Sequence, residues 1–492
     1  MTTVALLFIA STVFAQEASI KLSLKEAVKL ALERNLDVRA ELFNPAQSEA
    51  EIRKNRAIYE THLTLDTSYQ DSNRYSEATA GRLEQRTFSL TPGAYRLIPS
   101  GGTAGLNFYN NLNNTNSPLS SLGTYWQSDL TLTFSQPLLK NFGQDATEIN
   151  IRVAELGKET SVKRFKTKLL TVVAQVRSEY YKLHSLKDDL ESRKISLELA
   201  QRILKDTEAR VRAGVLPAME ILNAQFGVSS REKELIDAEK AVKDQVDTMS
   251  VLLQLDGSAD IVPTDAPSRT FYSMQEEEAV RMAVANRPEL DELKSQLASS
   301  EIQTRVSKSR TLPDLSLTSS VAVTGLGQTY DRDMDRLASA SYPVWTVGLK
   351  LDFPLGNQAA ENDYIINRLK TEQIRTQLEA LNASLSSEVR TALRTVTSSY
   401  KQLDVADRGK AYAEERLKAY LKKSEVGLAT TKDVLDVEND LATARGNQIK
   451  AQVAYSTAVS QLWKATGELL DREGIAVSSA QADSLYNNAR PH

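Results

Sequence analysis

The chain has 492 residues, no cysteine, 13 prolines, 6% aromatic residues and a net charge of -4. Without cysteine there is no disulfide, no thiolate metal site and no N-terminal cysteine to carry a lipid. The near-neutral balance gives no electrostatic reason to expect nucleic acid, and few prolines and aromatics favour long helices over an irregular core.

The N-terminus reads as a targeting segment. Val4-Ala5-Leu6-Leu7-Phe8-Ile9-Ala10 is a short apolar run, and Val13-Phe14-Ala15 before Gln16 is a small-residue cleavage site, so residues 1–15 are expected to be a signal peptide. The run is shorter than the roughly 20 residues that span a bilayer. No Lys or Arg precedes it, which departs from the usual pattern and leaves a buried N-terminal segment as the alternative.

The next stretch, Ser23-Leu24-Lys25-Glu26-Ala27-Val28-Lys29-Leu30-Ala31-Leu32, spaces its apolar residues by three and four behind a Ser23/Glu26 capping box. One constant offset superposes Glu26-Ala27-Val28 on Glu278-Ala279-Val280, Ser48-Glu49 on Ser300-Glu301, and Leu63-Thr64-Leu65 on Leu315-Ser316-Leu317. An ungapped match of that length marks two tandem copies. The expected organisation is repeat 1 over 16–265, repeat 2 over 266–475, and a loose polar tail over 476–492.

Within each copy the period switches from helix to strand. Leu63, Leu65, Thr67 and Tyr69 alternate with polar residues, as do the runs from Trp126 to Ser135, from Leu315 to Val323, and from Trp345 to Phe353. Runs of about 9–11 residues suit a tilted strand crossing a bilayer, and Trp126 and Trp345 stand where an interfacial aromatic girdle would be. Alternation alone fits a soluble two-faced sheet equally well. Between the first two strands, residues 71–124 carry Pro92-Gly93, Pro99-Ser100-Gly101-Gly102 and Asn110-Asn111-Leu112-Asn113-Asn114, which are turn signals. This insertion reads as a long loop with short strand-like pieces or an extended first hairpin; its counterpart over 324–343 reads as a shorter loop on the same face.

Pro137 and Pro354 end the two strand pairs. Long helices follow over about 145–213 and 358–426, with coiled-coil spacing at Val172, Val176, Tyr180 and Leu183 and again at Leu385, Val389, Val396 and Leu403. Each would run roughly 100 Å. A shorter opening helix (23–58 or 275–310) stacked on a returning helix (217–255 or 431–470) would match one long helix in length. The long helices break at two glycine turns, Ala213-Gly214-Val215 and Val426-Gly427-Leu428. Superposing Gly214 on Gly427 pairs Pro217 with Thr430, Glu220 with Asp433 and Asn223 with Asp436.

These motifs, in duplicate and in this order, resemble the TolC-type outer-membrane efflux family along nearly the whole mature length. The features that carry the resemblance are the opening helix motif and its copy, Ser135-Gln136-Pro137-Leu138-Leu139 before Gly143, and Val426-Gly427-Leu428 followed by Asp433-Val434-Leu435-Asp436. The resemblance implies a mainly α fold with a smaller β part. Two tandem repeats would form long coiled-coil hairpins, and each subunit of a homotrimer would give four strands to one 12-stranded transmembrane barrel set in outer-membrane lipid. It also implies that the glycine turns form a periplasmic tip where an adaptor protein of an inner-membrane transporter docks. The long first loop and the uncharged n-region depart from the family pattern.

Asp433 and Asp436 share a helix face, and two readings of them stand open. With Thr430 as N-cap, Asp433 occupies N3 and serves the helix start. The resemblance instead implies acidic rings at an inner constriction, favouring cations and responding to pH, with Glu220 and Asn223 at the matching positions of the first copy. The histidines (His62, His184 and His492) have no metal spacing, and no nucleophile or phosphate-loop motif is present. The sequence therefore points to a passive exit duct with no catalysis and no cofactor. An outlet for type I protein secretion and a soluble coiled-coil scaffold are the alternatives; a general porin fails on helix content.

Overall fold

The protein was analysed as a computed structural model, described over residues 20–77, 81–255, 260–477 and 480–489. The expected signal peptide, residues 1–15, lies outside the described residues. The first copy runs β1 (Ile20–Leu22), α1 (Leu24–Arg34), α2 (Leu36–Arg56), β2 (His62–Ser76), β3 (Gly81–Leu97), β4 (Thr103–Thr115), β5 (Thr124–Pro137), α3 (Gln144–Thr147), α4 (Ile149–Arg212) and α5 (Met219–Leu253). The second runs β6 (Ile261–Pro263), α6 (Glu276–Asn286), α7 (Pro288–Ser309), β7 (Asp314–Gly327), α8 (Tyr330–Ala338), β8 (Pro343–Asp352), α9 (Gln358–Glu425) and α10 (Thr431–Thr466), then α11 (Leu469–Arg472) and α12 (Ala480–Asn488). Contacts divide the chain into two compact units.

One unit comprises the residues up to Asn44, Lys163–Leu290 and Ala380–Gln481. Its main core joins Val173, Val176, Tyr180 and Leu183 of α4 to Val246, Met249 and Leu253 of α5 and to Ala27, Val28 and Ala31 of α1. Burying each Val, Leu or Met contributes about 1.5–3 kcal/mol, which is what holds such long helices together. The Ser23/Glu26 capping box forms as expected.

Each opening helix breaks in two, at Asn35 and at Arg287, where the sequence predicts one continuous helix. The break is where the returning helix meets it. Asn35 accepts from the backbone of Asp37 and Val38, capping α2, while its amide donates 3.0 Å to Leu252 O at the end of α5. In the second copy the equivalent residue, Arg287, donates 3.3 Å to Ala465 O at the end of α10 and pairs with Glu289 and Glu388. One side chain thus ties the opening helix to the end of the returning one in both copies, and burial holds its charge-assisted bonds. A short parallel pair, β1 with β6, also escaped sequence reading because each strand has three residues. Tyr180 anchors it, donating to Leu22 O and accepting from the backbone of Thr264 and Asp265.

The second unit comprises Pro45–Val162, Asp291–Glu379 and the segment from Ala482. It holds an antiparallel sheet of six strands in the order β2-β3-β4-β5-β7-β8. The four expected strands are present, but the count of four is corrected to six. The insertion read as a loop supplies β3 and β4 between β2 and β5. Pro92-Gly93 is a turn signal by local chemistry, yet it lies within β3: Pro92, which lacks an N–H, sits where the β3–β4 register is interrupted between Leu90↔Asn110 and Gly93↔Asn107. The asparagine run belongs to β4, with Asn111 and Asn113 opposite Gln127 and Tyr125 on the polar face and Asn110 and Asn114 opposite Ser128 and Thr124 on the other. The second insertion also differs from expectation, because it folds as α8. Asp333 of α8 is fully buried, bonded to Ser128 Oγ at 2.5 Å, and lies over Gly325 and Gly327, where a Cβ would collide with it.

The register sorts the sheet into two faces. Rows such as Leu63↔Ala94↔Leu106↔Leu132↔Val321↔Trp345 are apolar across all six strands. The adjacent row, Thr64↔Gly93↔Asn107↔Thr131↔Ala322↔Val344, lies on the opposite face, which is largely polar. Contrary to expectation, the C-terminal tail is ordered over α12, where Ala482 is buried and Asp483 bonds Lys158, itself paired to Glu49. No helix among the described residues is long and apolar enough to cross a membrane.

The two copies make a prediction together. The returning helices end on left-handed residues, Gln254 (φ 51°) and Gly467 (φ 80°), and a Cβ at Gly467 would lie 2.9 Å from Asn286. A side chain there costs about 1–2 kcal/mol before any clash. Gly467→Ala should therefore lower the thermal midpoint, and Gln254→Gly should raise it.

Candidate functional site

The candidate site lies where the two helical hairpins turn, within the first unit. Gly214 and Gly427 share φ 76°, and each follows its long helix by two residues. The Val215 amide reaches Arg210 O at 2.9 Å, and the Leu428 amide reaches Lys423 O at 2.8 Å. These are the six-to-one bonds of a helix end closed by a left-handed glycine. The two turns are neighbours: Arg210 donates 2.7 Å to Ser424 O, a cross-brace that sequence reading did not single out. Around the turns Val215, Met219, Val426 and Leu428 are exposed.

Beyond the second turn, Thr430 is the N-cap of α10 and forms a capping box with Asp433. Thr430 N and Oγ1 both donate to Asp433 Oδ2, at 2.9 and 2.7 Å. Those bonds, the backbone one foremost, hold the Asp433 carboxyl below its ordinary value of 3.8. The first copy has Pro217 where Thr430 stands and builds no such box; α5 starts without a side-chain cap. Glu220, at the matching position, has a buried Oε2 with no hydrogen-bond partner among the described residues.

Glu220 and Asp433 line one shared hollow between the two turns, together with Arg210. Asn223 and Asp436 do not line it; Asp436 is exposed, one helical turn along α10 from Asp433. The neighbouring face of α10 is buried, with Val434, Val437 and Leu441 packed on Leu417 of α9. Both aspartates lie outside that buried seam and are exposed.

A buried charge network just beyond the turns was not anticipated. Arg231 of α5 grips Glu438 of α10 at 2.6 Å, with the two side chains 7% and 4% exposed. Ser196 of α4 also bonds Glu438, Arg231 reaches Glu234 at 2.7 Å, and Arg193 of α4 holds Glu234 from the other side at 2.6 Å. Arg231 and Glu438 read in sequence as ordinary charges on a helix; only the packing of three helices makes them partners.

Two segments of the chain, residues 27–253 and 279–468, match the model of the outer membrane efflux protein family. The chain belongs to that family. It is accordingly an outer-membrane protein, and each copy of the repeat carries its own match. The pyoverdine export outer membrane protein OpmQ of Pseudomonas aeruginosa is 22% identical over 322 residues, 62% of this chain and 64% of the relative. The protein of the same name from Pseudomonas putida is 23% identical over 301 residues, 61% of this chain and 62% of the relative. Both alignments thus span less than two thirds of the relative. Among solved structures, the outer-membrane channel OprN superposes with a TM-score of 0.68 at 14% identity, over 90% of each chain. The CmeC outer membrane channel of Campylobacter jejuni gives 0.63 at 14% identity, over 94% of this chain and 89% of that one. At such identities the likeness carries the fold.

The tryptophans and prolines singled out in this family member fall in the sheet unit. Trp126 and Trp345 each lie near the start of their strand on the apolar face, Trp345 exposed and Trp126 set edge-on against Tyr330 of α8. Pro137 closes β5, and Pro354 follows the end of β8. Among the described histidines, His62 stacks on Tyr95 and His184 stands 3.1 Å from Asp188; no group of described residues could hold a metal.

Two outcomes follow for the tip. Removing one partner of a buried ion pair costs about 3–5 kcal/mol, so Glu438→Ala should sharply raise amide hydrogen exchange at the start of α10. Replacing Arg231 and Glu438 together by apolar residues should restore much of the protection. Thr430→Ala should return the Asp433 carboxyl toward 3.8, read by carboxyl carbon NMR. Because the folded value is depressed, the stabilisation from this cap is full above the unfolded value and is lost only as pH falls through the depressed one; neutral to mildly acidic solution leaves it intact.

Proposed function

We propose that the protein is the outer-membrane exit duct of a tripartite efflux system, conducting small molecules passively from an inner-membrane pump and periplasmic adaptor. The observation that carries this reading is a sheet with one continuous apolar face joined, twice in one chain, to a helical hairpin that ends in a glycine turn. A sheet of that kind suits a barrel wall in lipid, and hairpins of 64 and 68 residues in their longer arms suit a conduit through the periplasm. The duct assembles as a homotrimer of tandem repeats, 16–265 and 266–475. Pro137 and Pro354 mark the passage from barrel to helices, and Trp126 and Trp345 belong to the aromatic girdle.

The turns Ala213-Gly214-Val215 and Val426-Gly427-Leu428 are the adaptor seat, since they expose apolar side chains on a rigid, cross-braced corner. Asp433 and Asp436, with Glu220 and Asn223, form the inner constriction. The capping box does not remove Asp433 from that role: one oxygen serves the helix, and the side chain remains exposed. A small-molecule cargo is favoured over a secreted protein because the OpmQ relatives are named for pyoverdine export.

Single-channel recording in planar bilayers tests this. Small, cation-selective openings are expected, and Asp433→Asn/Asp436→Asn should reduce the selectivity and enlarge the conductance. An unchanged double variant would remove both aspartates from the constriction. Protein extracted without detergent and forming no pores would end the duct reading.

A further inference from the structure

The six-stranded sheet sets the size of the pore wall. We infer that the β3–β4 hairpin is part of the membrane wall and that three copies, joined edge to edge through β2 and β8, close an 18-stranded barrel. This rests on the duct reading above and its threefold assembly. The family resemblance implied four strands per copy and 12 in all; the register contradicts it.

Three observations carry the inference. First, β3 and β4 share the apolar face of their neighbours. Phe88, Leu90 and Leu106 are exposed on the same side as Leu132 and Val321, where an isolated surface loop would place polar groups. Arg86 and Arg96 bound this run on β3; at about 3.3 Å per residue and a 40° tilt, the band between them is about 25 Å tall, as a bilayer requires.

Second, the apolar band drifts as a tilted wall demands. It centres near Asp66 on β2 and near Gly348 on β8, and following the register from one to the other shows a slip of about six residues over the sheet. With strands about 4.8 Å apart, that slip corresponds to a tilt of about 40°, within the range of closed transmembrane barrels. A hairpin lying outside the bilayer would have no reason to keep this drift.

Third, six strands cannot close alone, and open edges are not tolerated in hydrocarbon. Only a second copy of this chain offers an edge with the same band and tilt. Two of the outward polar groups that would offend lipid are covered: Asn110 donates to Tyr330 Oη, and Ser128 bonds Asp333, both partners on α8. The opposite face of the hairpin, with Thr87 bonded to Asn113, would widen a neutral, hydrated lumen. Barrels of 16–18 strands leave an aqueous channel, so the helical tip, not the barrel, limits the cargo.

The absence of cysteine makes the test clean. Leu90→Cys, Leu106→Cys, Thr91→Cys, Leu132→Cys and Leu119→Cys would be introduced singly, and the protein reconstituted in vesicles with a membrane-impermeant maleimide outside. Leu90→Cys and Leu106→Cys should react at least tenfold more slowly than the loop position Leu119→Cys and be as protected as Leu132→Cys on β5. Thr91→Cys should react faster than Leu90→Cys. Rapid labelling at 90 and 106 with protection at 132 would overturn the six-strand wall and leave the duct intact; rapid labelling at all of them would overturn the membrane reading itself. For closure, levelling the bands sets Val347 beside Thr67 of the next copy. Thr67→Cys/Val347→Cys should oxidise to a covalent trimer, whereas Leu65→Cys/Leu130→Cys, neighbours only if β2 paired directly with β5, should stay uncrosslinked. The reverse pattern would restore a four-strand contribution.

Discussion

A peptide group in hydrocarbon has no water to fall back on, and much of this structure answers to that constraint. Every strand of the sheet must be paired on both sides, its side chains must alternate, and polar residues on the lipid side need cover. The alternation runs from β2 to β8, and where Asn110 and Ser128 interrupt it on β4 and β5, α8 is folded over them. The same rule singles out two strands, β2 and β8, whose outer edges are unpaired within one copy.

The helical unit works under a different rule. Its helices are far too long to be held by propensity and are fastened by a buried apolar seam, with a few polar residues placed where helices meet. Asn35 and Arg287 do equivalent work at equivalent places with unrelated chemistry, one with an amide and the other with a guanidinium that needs two carboxylates to stay buried. Near the turns, Arg231 and Glu438 add a second fastening across three helices. An ion pair so buried is a poor source of net stability and a good source of register, since a slipped hairpin would strand both charges.

Much of the fold was legible because it rests on period and punctuation. Val172, Val176, Tyr180 and Leu183 announced a long helix, Gly214 and Gly427 its end, and Ser23 with Glu26 the start of another. The number of strands was not legible. Pro92-Gly93 and the asparagine run are turn signals in any local reading, and only the interrupted register at Pro92 shows why a central strand accepts them. The Thr430–Asp433 cap could be read from spacing, whereas the Arg231–Glu438 pair joins residues far apart in sequence and could not. β1 and β6 are too short to carry a period at all.

The substitution of proline for threonine at the start of α5 has a consequence for assembly. The two hairpin ends look alike in backbone, but one begins its returning helix with a tied carboxylate and the other with an untied one. In a threefold ring the six corners would alternate between these two kinds. A docking protein with a single preferred contact would find three berths of one kind and three of another, so the duplication that built the chain would fix a parity on anything seated there.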